Sequence, residues 1–231
     1  MMFLFFATIP AVLFTYSRGA LLGLAAVLGF ILMRLRQRFL LMPVLLLAGL
    51  LAVFLTPEQW QQRMDFRREG ALIDDSALSR INAWTYCWRL VQDHPLTGGG
   101  FEAFTPALFD RYAPNPRDVH GPHSVYFGVL AEHGFVGLGL YLTLLFSTFL
   151  TLGRQVKFAR VHDDKQIEAY GNALRVSLVG FMVSGAFLGR AYFDYYFTII
   201  ACAVILKTLC KSHENDMADT DTETEVEEQL A

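Results

Sequence analysis

Apolar residues in this chain gather into long blocks instead of alternating with polar ones. Six blocks approach the ~20 residues that a helix needs to cross a bilayer. They are roughly Phe3–Thr15, Ala20–Met33, Phe39–Thr56, Phe135–Gly153, Ala169–Gly189 and Tyr195–Leu209. The first two are short and reach across only with flanking residues such as the turn Tyr16–Arg18. The pattern predicts an all-α integral membrane protein, a polytopic helical bundle of about six transmembrane helices with one large loop. Residues 1-56 carry the first three spans, 57-122 the loop, 123-210 a short helix and the last three spans, and 211-231 a tail. Because the first block begins at the initiator, the natural domain is expected to extend upstream of it.

The loop is far longer than a connection requires, which marks it for function. Within it, DDSALSRINAWTYCWRLVQDHPLTGGG places apolar Ala77, Ile81, Trp84, Trp88 and Val91 at helical spacing behind Asp75 or Ser76 as a cap. One face of this amphipathic helix is expected to lie on the membrane surface or on the bundle. His94-Pro95 ends the helix and Gly98-Gly99-Gly100 makes the following turn. The triple glycine has neither the Lys-Ser/Thr nor the preceding strand of a phosphate loop. The tail from His213 is acidic and has no apolar face, so it is expected to be disordered.

Composition narrows the picture. The chain is 54% hydrophobic and its formal net charge is −3, which leaves no footprint for nucleic acid. Cys87, Cys202 and Cys210 are isolated and suggest neither a disulfide framework nor a zinc site. The N-terminus has no basic lead and no small-residue cleavage site, so no secretory signal peptide is predicted. Basic residues are informative by position. If the six spans alternate, Arg34, Arg36 and Arg38, then Arg154, Lys157 and Arg160, then Lys207 and Lys211 all fall on one side. The positive-inside rule makes that side cytoplasmic and puts the loop on the outer face.

Candidate chemistry concentrates in DVHGPHSVYFGVLAEHGFVG, from Asp118 to Gly137. Pro122 suits a first helical position, which places His123 in a first turn, where the helix dipole disfavours an imidazolium. A neutral imidazole is what a general base needs near neutral pH. Three readings stay open: catalysis by His123, interfacial polar residues without chemistry, and a metal held by Asp118, His120 and His123. His133, just before Gly134, suits a helix end. Three arginines stand on the outer side: Arg18 in a Ser-Arg-Gly turn, Arg80 in the loop helix and Arg190 in LGRAYFDYYF. Singly each reads as an interface anchor, and Asp194 offers Arg190 an ordinary partner. Together they suit a lipid-linked diphosphate, because planar guanidinium forks match phosphate oxygens.

The ordered motifs SRGALLGL, SRINAWTYCWRLVQDHPLTGGGFEAF and HSVYFGVLAEHGFVGLGLYL resemble the bacterial O-antigen ligase and polymerase superfamily. The variant DVHGPHSVYF is most similar to the O-glycosylation ligases associated with exosortase A systems. The resemblance implies a GT-C-like, all-helical enzyme of the bacterial inner membrane that works on its periplasmic side. It implies transfer of a glycan from undecaprenyl diphosphate to an acceptor hydroxyl on a glycan or protein, with no metal or other cofactor. The matching positions are His123 for the essential loop histidine and Arg18 and Arg80 for arginines near the diphosphate; Arg190 is added from topology. The chain has about half the family's usual number of spans, so it is expected to be a C-terminal portion. Two alternatives remain: a polymerase using the same donor, and a non-enzymatic transporter or scaffold. Spans nearly free of ionisable residues argue against the transporter.

Overall fold

The computed structural model describes residues 11–12, 14–15, 17–34, 75–189 and 191–230. Among them are six helices and no strand: α1 (Arg18–Arg34), α2 (Asp75–Asp93), α3 (Pro106–Tyr112), α4 (Val125–Val161), α5 (Lys165–Gly185) and α6 (Asp194–Leu230). Two of them, α4 and the Asp194–Ser212 part of α6, are long and apolar enough to cross a membrane, and Gly19–Met33 is apolar but shorter. The block expected over Ala169–Gly189 is helical from Lys165 to Gly185, but Lys165, Glu168 and Arg175 make it more polar than those two. The third expected span lies outside the described residues, as does most of the first.

The chain divides into two compact units, Met1–Leu140 with Val179–Ala191, and Tyr141–Leu178 with Tyr192–Ala231. In the first, Tyr86, Cys87 and Leu90 of α2 pack with Phe109 and Tyr112 of α3 and with Ala103 and Ala131. The Tyr86 and Phe109 rings stack at 4.2 Å, and the Tyr86 hydroxyl donates to the Ala103 carbonyl. Fully burying a side chain of this size is worth about 1.5–3 kcal/mol. Thr105 caps α3, accepting from Leu108 N, with Pro106 in the first turn. The stripe of α2 buried in this unit coincides only in part with the apolar face read from periodicity, of which Val91 is fully buried. Ile81 and Trp88 are about half exposed, whereas Ala83, Tyr86, Cys87 and Leu90 are fully buried.

The Ser-Arg-Gly turn opens α1. Ser17 caps it, its Oγ accepting from Ala20 N at 3.3 Å. Small residues then let α1 approach the end of α5: a Cβ on Gly23 would lie 3.1 Å from Ser184 Cβ, and one on Gly180 would lie 2.9 Å from Val27. The same end of α5 receives the start of α4. Val125 packs against Gly185, and the Tyr126 hydroxyl donates to Met182 O at 2.7 Å.

The second unit has its own core of Leu152, Ala159, Ile167, Ala203 and Leu206. Buried Gln155 donates to Ala203 O at 2.9 Å. The backbone of α6 continues to Leu230 through the acidic segment, where the sequence pattern predicts disorder. Extending an existing helix adds one hydrogen bond per residue fixed, and no new nucleus is needed.

The feature that organises the first unit is a break in α4. Gly134, at φ 65° and ψ −164°, interrupts the helix, so that it stops at His133 and restarts at Phe135. The turn after α2 closes the gap: Gly99 N donates to Ala131 O at 2.8 Å, Gly100 N to Glu132 O at 3.1 Å, and Phe135 N to Pro95 O at 2.8 Å. Contact is so close that a Cβ on Gly98 would lie 2.4 Å from Ala131 O, and one on Gly134 2.6 Å from Pro95 O. The triple glycine therefore forms half of a backbone joint. Beyond it the helix runs on for about 40 Å, more than the ~30 Å hydrocarbon core. Gly98→Ala and Gly134→Ala are each expected to cost roughly 2–4 kcal/mol, from a steric clash added to a positive φ. Gly139→Ala, which meets nothing within 4 Å, is expected to be neutral or slightly stabilising. Thermal unfolding in detergent separates the two classes, and equal melting points across the set would contradict the joint.

Candidate functional site

Three side chains of α2 grip the loop that precedes α4. Asn82 Nδ2 donates to Asn115 O at 3.0 Å and Asp118 O at 3.3 Å, while its Oδ1 accepts from Asn115 N at 2.8 Å. Trp84 Nε1 donates to Pro122 O at 2.7 Å, and its ring stacks on Phe127 at 5.1 Å. Ser79 Oγ donates to Asp118 Oδ2 at 2.6 Å and lies 2.7 Å from His120 Nε2. The other ring nitrogen of His120, Nδ1, is 2.6 Å from the Gly121 carbonyl and so must carry a proton to donate there. The sequence pattern singles out neither Ser79 nor Asn82, and it marks Trp84 only as an apolar position of the helix. A signal existed in SRINAW, whose polar positions 79 and 82, and 80 and 84, share helix faces.

His123 follows this clamped loop. The helix does not begin at Pro122, as expected; it begins at Val125, and Ser124 caps it, with Gly128 N bonded to Ser124 O at 2.9 Å. His123 therefore precedes the first turn. Its backbone has φ 46°, a left-handed conformation that costs a non-glycine residue on the order of 1–3 kcal/mol. Strain of this kind persists only where surrounding contacts impose it, here the Trp84 bond on one side and the Ser124 cap on the other. The residue is exposed and its ring lies 5.7 Å from that of His120. Partial burial of the ring, followed by the neighbouring His120 and the Arg80 cation, holds its pKa below the ordinary imidazole value. The causes of this lowering differ from the helix dipole that the sequence suggests.

The predicted arginines stand as follows. Arg80 is next to Ser79 on α2, close enough to act on His123, and its buried Nε has no hydrogen-bond partner. A buried N–H left unpaired in an otherwise well-satisfied site is an opening for a ligand acceptor. Arg18 is described as backbone only, at the first position of α1. Its neighbour Gly19 lies against Phe187, where a Cβ would be 3.0 Å from Phe187 Cβ. Arg190 lies outside the described residues, but a Cβ on adjoining Gly189 would sit 3.4 Å from His123 Cα. Gly189 thus lies against the backbone of His123, while Gly19 lies against Phe187. His133 stands apart at the helix break, edge-on to Phe101 at 4.7 Å. Among the described residues no three His, Cys, Asp or Glu side chains gather as metal ligands.

An open cleft of about 670 Å³ adjoins the clamp, between α2 and residues 114–118. Ser79 and Asp118 line it and also belong to the His120 network.

Residues 3–142 match the family model described as O-antigen ligase, which accounts for more than half of the chain. No curated protein matches closely enough to add to this.

Titration of His123 by NMR in the intact protein is expected to give a midpoint below about 6.5. Removing the Arg80 cation relieves repulsion of the imidazolium, so Arg80→Gln is expected to raise that midpoint. A wild-type midpoint at or above the ordinary value, or no upward shift in the variant, would contradict this electrostatic arrangement.

Proposed function

The chain belongs to the O-antigen ligase family, and on that premise we propose that it transfers a glycan from undecaprenyl diphosphate to an acceptor hydroxyl at the periplasmic face of the bacterial inner membrane. The observation that carries the reading is a strained His123, its pKa lowered, within the electrostatic reach of Arg80, whose buried Nε is unpaired. In this reading six spans alternate with their basic clusters at the cytoplasmic face, and both residues then fall on the outer face. The motif variant DVHGPHSVYF assigns the enzyme to the exosortase-associated ligases in this reading.

His123 acts as the base, taking a proton from the acceptor hydroxyl as its oxygen attacks the anomeric carbon. The bond from that carbon to the diphosphate oxygen breaks, and the diphosphate departs with the lipid. Arg80, Arg18 and Arg190 bind the diphosphate and stabilise its growing charge, a task that a metal ion performs in other phosphate chemistry. Arg18 begins a helix, where a cation is disfavoured by the dipole unless an anion sits beside it. A diphosphate at that place turns two unfavourable terms into favourable ones.

In membranes supplied with lipid-linked donor, His123→Ala is expected to lower transfer by about 10²–10⁴-fold with the protein still folded. Transfer at the wild-type rate would remove His123 as the base. Arg18→Lys keeps the charge but loses the fork, and is expected to raise the donor KM about tenfold. A product ladder in place of a single transferred chain would identify a polymerase.

A further inference from the structure

The cleft beside the clamp has the two kinds of wall that a sugar ring needs. Leu78 and Ile81 of α2, with Pro114 opposite, offer an apolar surface, and both α2 side chains are substantially exposed. Asn115, Arg117 and Asp118 offer polar groups. Three of these groups are unspent. Asn115 takes part through its backbone and Oδ1, and Asp118 through its carbonyl and Oδ2. Among the described residues, nothing hydrogen-bonds to Asn115 Nδ2, to Asp118 Oδ1 or to the Arg117 guanidinium. Donors and a carboxylate oxygen held on a rigid loop suit vicinal hydroxyls, while the C–H face of a pyranose suits Ile81 and Leu78. The volume, about 670 Å³, is within the range of small-ligand sites. Its wall is also linked to the proposed base, because Ser79 and Asp118 hold His120, whose ring lies 5.7 Å from that of His123.

We infer that this cleft is a glycan subsite, which seats a pyranose segment against Leu78 and Ile81 and hydrogen-bonds its hydroxyls through Asn115, Arg117 and Asp118. The inference rests on the proposed glycan transfer and adds to it where the sugar lies. The seated segment belongs either to the lipid-linked donor or to a glycan acceptor, which share this chemistry. Arg117 is exposed and unpaired, so its loss leaves the fold intact.

The test uses the native protein in lipid nanodiscs, with the oligosaccharide released from the host's lipid-linked glycan by mild acid as probe. Saturation-transfer NMR is expected to show wild-type binding that Arg117→Ala weakens about tenfold and Leu78→Trp, which fills the cleft, abolishes. In transfer assays Arg117→Ala is expected to raise one KM by a similar factor with kcat within about twofold. A rise in the donor KM assigns the subsite to the donor, and a rise in the acceptor KM to the acceptor. Wild-type binding without transfer would sink the proposed function and leave the subsite standing. Transfer with both KM values unchanged in both variants, or no binding of the oligosaccharide by wild type, would overturn the subsite.

Discussion

A helix that stops and restarts leaves backbone donors and acceptors without partners, and burying them unpaired is costly. In this protein the break at Gly134 is closed by three hydrogen bonds from the turn after α2. The approach demands glycine on both sides, at Gly98 and at Gly134, since any Cβ would overlap the opposite backbone. The joint ties α2 to the first turns of α4 at one end. The Trp84 bond to Pro122 and the Trp84–Phe127 stack tie the same two helices at the other. Between these points the first part of α4 has little freedom, and the residues just before it inherit that rigidity.

The rigidity matters for His123. An exposed imidazole on a strained backbone would relax if its loop could move, and here the loop is held by Ser79, Asn82 and Trp84. A side chain that is fixed at its base yet open at its ring suits a reaction whose partners are large and arrive from outside the fold. Partial burial, then the neighbouring His120 and Arg80, hold its pKa below the ordinary imidazole value, and Arg80 retains an unused donor.

Much of this organisation was legible in the sequence, and the lapses have physical causes. The helix over SRINAWTYCWRLVQD was foreseen, but its buried face only in part. Trp84 and Trp88 dominate any count of apolar positions, whereas the core selects Tyr86, Cys87 and Leu90, which fit against Phe109 and Tyr112. The start of α4 was placed three residues early because Pro122 suits a first turn, whereas the Pro122 carbonyl accepts from Trp84 and the helix begins at Val125. His120 entered the sequence reading only as an alternative metal ligand beside Asp118, and its partner Ser79 is distant in sequence, so periodicity could not reveal the pair.

The sequence alone determined where apolar blocks lie, that a turn falls at Ser17–Gly19 and a helix starts near Pro122, and that His123, Arg18 and Arg80 belong to ordered motifs. These are local properties of caps, turns and composition, set by residues close along the chain. Tertiary structure alone decided which stripe of α2 is buried, why three glycines follow it, and that Ser79 and Asp118 meet His120. Each of those depends on backbone from a distant segment arriving within van der Waals or hydrogen-bond range, and no pattern within one segment records which partner will come.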